Sequence, residues 1–140
     1  MSVSDAAKKH LVDYIMLQVF DDQYIDRQEE KKILQEGVTK GIGVEEGLAI
    51  IRQVVSEKGF ILERDAEERT KEMLDTFASN DGKVDKKEFE DAMAIFKKNT
   101  KGKIPEHEMK KRLKIMMVEN GWNAKEGGFF GSKWFSAIEV

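Results

Sequence analysis

Apolar residues recur at helical spacing along most of the chain. Leu11, Ile15 and Val19 follow one another every four residues and define the apolar face of a first helix over residues 5–20. No segment shows the alternation of apolar and polar residues that marks a strand over a useful length. The pattern therefore predicts an all-α protein, a single-domain bundle of six or seven helices.

Capping residues and glycines predict where the other helices begin and end. Asp26 with Glu29, Asp65 with Glu68, and Asp85 with Glu88 each have the spacing of a capping box. Pro105 suits the first turn of a helix, and Gly41, Gly59, Gly102 and Gly121 suit helix ends. The predicted helices after the first begin near residues 26, 44, 65, 85 and 105, with a short seventh helix from Asn123.

The last residues differ from the rest of the chain, because they are rich in aromatic side chains and broken by glycine. We therefore expect a helical domain over residues 1–126 and an aromatic tail over residues 127–140. The candidate partner-binding residues are Trp122, Phe129, Phe130, Trp134 and Phe135. Two interpretations stay open: these rings fold back to complete the core, or they dock a protein partner.

Charge is unevenly distributed along the sequence. The net charge of −3 argues against a nucleic-acid binder. Residues 1–81 carry 18 acidic and 11 basic side chains, whereas residues 97–114 have a net charge of +6. This basic stretch either docks an acidic partner or anionic lipid head groups, or is a solvated helix face.

Several classes of protein have no support in the sequence. There is no Cys, which excludes thiolate metal sites and fits a reducing compartment. No apolar run approaches the roughly 20 residues of a membrane span, and the first residues lack the apolar stretch of a secretory signal. No nucleophile or phosphate-binding motif is present. We therefore expect a cytoplasmic protein that is not an enzyme.

An acidic turn occurs twice in the chain, once in each half. The first copy carries Asp22, Ile25, Asp26 and Glu29, and the second carries Asp81, Val84, Asp85 and Glu88 at matching positions. Each copy follows one predicted helix and begins another. The repeat predicts two similar helix–turn–helix units.

The spacing within each turn suits a hard divalent cation. A carboxylate, a backbone carbonyl, a second carboxylate and a Glu match the last four ligand positions of an EF-hand loop. The candidate ligands are Asp22, Tyr24 (carbonyl), Asp26 and Glu29 in the first copy, and Asp81, Lys83 (carbonyl), Asp85 and Glu88 in the second. The first half of an EF-hand is missing, since its first position would be Gln18 or Phe77.

Two interpretations of these turns stay open. The carboxylates either cap helices only, or cap helices and also bind Ca²⁺ or another divalent cation weakly. Gly82 permits positive φ without strain, whereas Gln23 occupies the matching position in the first copy. We therefore expect the second turn to bind the cation more tightly.

The two motifs, Asp22-x-x-Ile25-Asp26-x-x-Glu29 and Asp81-Gly82-x-Val84-Asp85-x-x-Glu88, resemble the acidic motif of the TerB-like (tellurite-resistance-associated) family. The turns at 41–46 and 120–123 resemble small-residue turns of that family. The resemblance covers residues 5–125 and implies an all-α bundle with two acidic motifs, divalent metal binding, and a stress-response or secretion context.

The sequence thus predicts a non-enzymatic helical binding module with two acidic turns that weakly bind Ca²⁺. The alternative is a metal-independent protein–protein adaptor that uses the aromatic tail and the basic helix. A protein partner is expected in either case.

Overall fold

The computed structural model describes residues 3–127 and 133–140. Over these ranges the chain forms six α-helices and four very short strands. The elements are α1 (Asp5–Gln18), β1 (Tyr24–Ile25), α2 (Arg27–Thr39), α3 (Val44–Lys58), β2 (Ile61–Leu62), α4 (Glu63–Ala78), β3 (Lys83–Val84), α5 (Lys86–Asn99), α6 (Glu106–Glu119) and β4 (Asn123–Ala124). The all-α prediction is confirmed.

The chain divides into two compact units, Met1–Arg64 and Asp65–Val140. Both units use the same order of elements: helix, strand, helix, helix, strand. The predicted repeat of two helix–turn–helix units is therefore confirmed, and it extends to a second helix and a second strand. The second copy is slightly longer, because α5 and the α5–α6 loop exceed α2 and the α2–α3 loop in length.

The first unit encloses a core of aliphatic side chains from α1, α2 and α3. Leu11, Ile15, Ile33 and Ile51 have no exposed surface. Each such side chain stabilises the fold by about 1.5–3 kcal/mol relative to an exposed one. On α1, Leu11 and Ile15 lie four residues apart. The helical conformation places them in one continuous stripe, which the fold buries.

The second unit has a separate core, which contains aromatic and Met side chains. Leu74 of α4, Phe96 of α5, and Leu113 and Met117 of α6 have no exposed surface. Trp122, Trp134 and Phe135 are half-buried and pack against this core. These three rings lie where the interpretation in which the C-terminal rings fold back would place them; Phe129 and Phe130 lie outside the described residues.

Each unit is closed by one short parallel strand pair. Tyr24 pairs with Ile61 and Ile25 with Leu62 in the first unit. In the second unit Lys83 pairs with Asn123, and Val84 pairs with Ala124. In each unit, the strand that follows the third helix therefore lies beside the acidic turn that follows the first helix of that unit.

One predicted helix and one predicted helix start are wrong, and both lie beside strands. The seventh helix is absent from the described residues, because the backbone N–H of Asn123 donates to the carbonyl of Gly82 at 2.8 Å and forms β4 instead. Asp65 is not an N-cap, since α4 begins directly after β2 at Glu63. Both errors follow from strand pairing, which the helical pattern does not register.

Candidate functional site

The first acidic turn is a closed network of helix-capping hydrogen bonds. The Asp26 carboxylate accepts from the backbone N–H of Glu29 at 2.8 Å, and the Glu29 carboxylate accepts from that of Asp26 at 3.1 Å. Asp22 accepts from the backbone N–H of Tyr24 at 3.2 Å. The predicted capping box is confirmed, and Gln23 lies before β1 with a φ of +56°. Gln23 thus adopts the costly left-handed conformation that Gly would adopt without strain.

The second acidic turn repeats this network. Asp85 and Glu88 form the same capping box, with distances of 2.7 and 3.0 Å, and Asp81 accepts from the backbone N–H of Lys83 at 3.0 Å. Gly82 has a φ of +71°, as its position in the predicted turn requires. In both turns the last two shared carboxylates form the capping box, and the first accepts a turn hydrogen bond.

Strand pairing places the ammonium group of Lys125 beside the second acidic turn. The backbone N–H of Lys125 donates to the carbonyl of Val84 at 2.8 Å, and the Lys125 Nζ lies 3.0 Å from Asp81 Oδ2. The hydrogen bond to Lys125, followed by that from the backbone of Lys83, lowers the pKa of the Asp81 carboxyl. Reciprocally, the Asp81 hydrogen bond raises the pKa of Lys125. An ammonium group of the chain itself therefore neutralises part of this turn.

The first turn carries a different balance of charge. Glu63 follows β2 directly, just as Lys125 follows β4, so a glutamate occupies the position that matches this lysine. The Glu63 carboxylate is buried and accepts from the Tyr24 hydroxyl at 2.6 Å. Burial raises the pKa of the Glu29 carboxyl, and the charges of Asp26 and Asp22 act in the same direction, against the backbone hydrogen bond from Asp26.

These contacts bear on whether the turns suit a divalent cation. Within residues 3–127 and 133–140, no group of three or more His, Cys, Asp or Glu side chains is arranged to hold a metal ion. Tyr24 and Lys83, the predicted carbonyl ligands, lie in the paired strands. Calcium binding by the eight candidate ligands stays a prediction.

An open apolar surface of the second unit lies between α5 and α6. This α5–α6 groove has a volume of about 600 Å³. Phe89, Met93, Ile104 and Met109 form its floor, and each has at most 9% of its surface exposed. A concave site of this size with an apolar lining is typical of sites that bind a ligand or a few partner side chains.

The rim of the α5–α6 groove is charged. Exposed Lys86, Lys97 and Lys110 lie around it, together with the acidic Glu90 and Glu106. Glu106 lies 3.7 Å from Lys110, so these two side chains partly neutralise one another. The three lysines and two glutamates leave the rim with a net charge of +1, which favours an anionic partner.

The C-terminal segment forms one end of this groove. Trp134 and Ile138 contribute to the lining, and the rings of Trp134 and Phe89 are centred 5.1 Å apart. The Lys114 Nζ donates to the carbonyls of Phe135 and Ile138 at 3.0 and 2.9 Å. The indole N–H of Trp134 donates to the carbonyl of Lys125 at 3.1 Å. These bonds hold the segment in place as a wall of the groove.

The first unit has a groove at matching positions, which we call the α2–α3 groove. Its volume is about 530 Å³. Six of the seven α2 positions that line it are equivalent in the repeat to positions that line the α5–α6 groove: Arg27 and Lys86, Glu30 and Phe89, Lys31 and Glu90, Leu34 and Met93, Gln35 and Ala94, Val38 and Lys97. The repeat thus builds the same concavity twice, with different side chains.

An ion pair occupies the base of the α2–α3 groove. The Arg64 guanidinium donates two hydrogen bonds to the Glu30 carboxylate, at 2.6 and 2.9 Å. Glu30 is only 3% exposed and stands where the second unit has Phe89. The bidentate geometry compensates for the burial of the carboxylate.

Sequence reasoning missed Lys125, the Glu30–Arg64 pair and the hydrogen bonds from Lys114 to the C-terminal segment. The pairing of Lys125 with Asp81 has no sequence signal, because strand pairing brings together residues that lie far apart along the chain. The burial of Glu30 did have a sequence signal, since the repeat aligns Glu30 with Phe89, which belongs to the apolar stripe of α5. A glutamate at a core position indicates a buried partner of opposite charge.

No protein-family model, curated protein or solved structure matches the chain. The resemblance to the TerB-like family therefore rests on the two motifs and the two small-residue turns alone and stays a prediction. No helix in the described part of the chain is long and apolar enough to cross a membrane.

Proposed function

We propose that this protein is a non-enzymatic cytoplasmic adaptor of TerB-like type, which binds an acidic, amphipathic protein segment in the α5–α6 groove. The observation that carries the proposal is an apolar floor of Phe89, Met93, Ile104 and Met109 beneath a lysine-bearing rim. An amphipathic helix that lays apolar anchors into such a groove is a common mode of peptide recognition. The basic helix and the aromatic tail both contribute to this site.

The charge of the surrounding chain supports an acidic partner. Residues 97–114, which include most of α6, carry a net charge of +6. Complementary charge around an apolar anchor site raises the association rate and selects against basic partners. The absence of Cys in the chain fits the cytoplasmic assignment.

A synthetic acidic amphipathic peptide tests this proposal. The probe has about 15 residues, with Leu and Phe anchors spaced as on one helix face and Glu elsewhere. We expect saturable shifts of the Met93, Ile104 and Met109 methyl signals in NMR titrations, and weaker binding as salt increases. A peptide with Lys in place of Glu should bind more weakly.

Ala94→Glu is the diagnostic variant, because Ala94 lines the groove and is exposed, so that the added carboxylate does not have to be buried. It should weaken binding of the acidic peptide by about tenfold, which corresponds to ~1.4 kcal/mol. Gln35→Glu is the matched control at the same position of the first unit and should leave the affinity unchanged. Equal effects of both variants, or no binding of the peptide, would refute the proposal.

Calcium separates this proposal from metal binding. The adaptor binds the peptide equally well in Ca²⁺ and in chelator, because none of the candidate metal ligands lines the groove. Metal binding predicts instead that millimolar Ca²⁺ shifts the amide signals of Lys83, Val84 and Asp85, and that Glu88→Gln abolishes the shifts. If Ca²⁺ alters both these amides and peptide affinity, the metal interpretation replaces the adaptor.

A further inference from the structure

The first unit exposes an apolar ridge at the C-terminal end of α1. The ridge consists of Met16, Leu17 and Phe20, which are 36%, 73% and 84% exposed. Leu17 lies in the last turn of α1, and Phe20 lies in the turn that follows the helix. Large apolar side chains clustered at the surface indicate a contact with another molecule.

The flanks of this α1 ridge are acidic. Asp13 lies one helical turn before Leu17, and Asp21 and Asp22 follow Phe20; all three are exposed. The ridge therefore has the chemistry of the segment proposed above for the α5–α6 groove: apolar anchors among carboxylates. Its charge complements the exposed Lys86 and Lys97 at the groove rim.

The repeat distributes the ridge and the groove asymmetrically. The positions of the second unit that match Met16, Leu17 and Phe20 are Asp75, Thr76 and Ser79, so that unit has no such ridge. The repeat architecture does not require an apolar residue there. Conversely, the matching groove of the first unit has the Glu30–Arg64 ion pair at its base. One unit thus carries the apolar anchors and the other carries the apolar groove.

We propose that a second copy of this chain occupies the groove: the α1 ridge of one copy docks into the α5–α6 groove of another. The inference rests on the proposed function, since it names the partner of the same groove. The contact is heterologous, because two different surfaces meet, and it leads to head-to-tail assembly or to a reciprocal dimer. Phe20 and Leu17 enter the groove, and the flanking aspartates face the lysines.

Sedimentation velocity from micromolar to millimolar concentration tests the proposal on the full chain. We expect concentration-dependent association that weakens as salt is raised from low to high concentration. The double variant Leu17→Ser, Phe20→Ser should lower the association constant by tenfold or more. Val118→Ser is the control: Val118 is also exposed, at 62%, but lies outside the ridge and the α5–α6 groove lining. It should have no effect.

Complementation makes the test specific for a heterologous contact. The variant Lys86→Glu, Lys97→Glu damages the groove rim and keeps the ridge, whereas the Ser variant keeps the groove and lacks the ridge. Neither should self-associate, but an equimolar mixture should form a heterodimer. Both sets of substitutions lie at exposed positions, and circular dichroism checks that the variants remain folded.

The outcomes separate this inference from the proposed function. If the wild-type chain stays monomeric at millimolar concentration, or the Ser variant associates as strongly as wild type, the second copy is not the occupant. The adaptor proposal survives that result if the synthetic acidic peptide still binds the groove. If the peptide also fails to bind, both are wrong.

Discussion

The two grooves of this protein share a backbone plan and differ in what occupies their base. In the α2–α3 groove the Glu30 carboxylate is buried beneath Arg64, whereas in the α5–α6 groove Phe89 is buried against Trp134. An ion pair needs defined geometry on both sides to offset the cost of desolvation. Met side chains adapt more readily to new neighbours, and aromatic rings offer a large apolar contact area. The comparison shows how a repeated fold can line one concavity with an ion pair of fixed geometry and the other with apolar side chains suited to binding.

The acidic turns differ in a complementary way. The turn of the second unit has Gly82 at its left-handed position and Lys125 beside Asp81. The turn of the first unit has Gln23 in the same conformation and carries Glu63 at the position that matches Lys125. The capping boxes are nevertheless the same, so the local helix start is preserved while its surroundings vary.

The largest expected effect comes from removing the aromatic base of the second groove. Phe89→Ala should lower the free energy of unfolding by about 3–5 kcal/mol, because Phe89 is 3% exposed and contacts the rings of Trp134 and Phe135. Urea denaturation measures the loss. A loss below about 1 kcal/mol would show that the packing of the C-terminal rings against Phe89 contributes little to the free energy of unfolding.

The ion pair of the first groove should be nearly as sensitive to removal of one partner. Arg64→Met leaves the Glu30 carboxylate buried without its guanidinium and should cost about 2–4 kcal/mol. The double variant Glu30→Leu, Arg64→Met should recover most of this loss, because an apolar pair needs no compensation for desolvation. If the double variant is as unstable as the single one, packing by Arg64, and not its charge, stabilises this groove.

A smaller effect is expected at the left-handed turn positions. Gln23→Gly should raise the free energy of unfolding by about 0.5–1 kcal/mol, because Gly adopts a φ of +56° without steric strain. Gly82→Gln should lower it by about 1 kcal/mol, although an added Cβ at Gly82 meets no atom within 4 Å. Thermal denaturation of both variants measures the two changes. Changes of the same sign would contradict the equivalence of the two turns.

The smallest effect concerns the pH response of the Lys125–Asp81 pair, which is exposed. The depressed pKa of Asp81 means that its contribution to stability is present above its unfolded pKa and is lost as pH falls through the folded pKa. Lys125→Met should raise the pKa of Asp81 towards its ordinary value of 3.8, and the acid loss of stability should shrink. NMR titration of the Asp81 carboxyl measures this shift. An unchanged pKa would mean that the Lys83 backbone hydrogen bond alone holds it low.

Much of the local structure could be predicted from the sequence, because its causes lie within a few residues. The capping boxes at Asp26 and Asp85 need only a side chain and a backbone N–H within one helical turn. The same is true of the turn at Gly82 and of the end of α3 at Gly59, where φ is +69°. The repeat was visible for the same reason, since these local signals recur in the same order in both halves of the chain.

The candidate site could be predicted only in part. The aromatic tail and the basic helix are both candidate partner surfaces in the sequence, and the structure places Trp134 and Lys110 on the same groove. The groove itself was not predicted, because its floor combines residues of α5, the following loop and α6. The spacing of the acidic turns predicts metal ligands, but spacing alone does not reveal which hydrogen bonds each carboxylate makes.

The sequence by itself determined where most helices begin and end, that the plan is repeated, and which segments are acidic, basic or aromatic. Those properties depend on periodicity, caps and composition, which are local. Tertiary structure alone decided that β3 pairs with β4 and so brings Lys125 to Asp81, that Arg64 neutralises a buried Glu30, and that Trp134 forms a wall of the second groove. These contacts join residues that are distant along the chain, beyond the reach of any local pattern. Their energies depend on burial and geometry that only the folded chain creates.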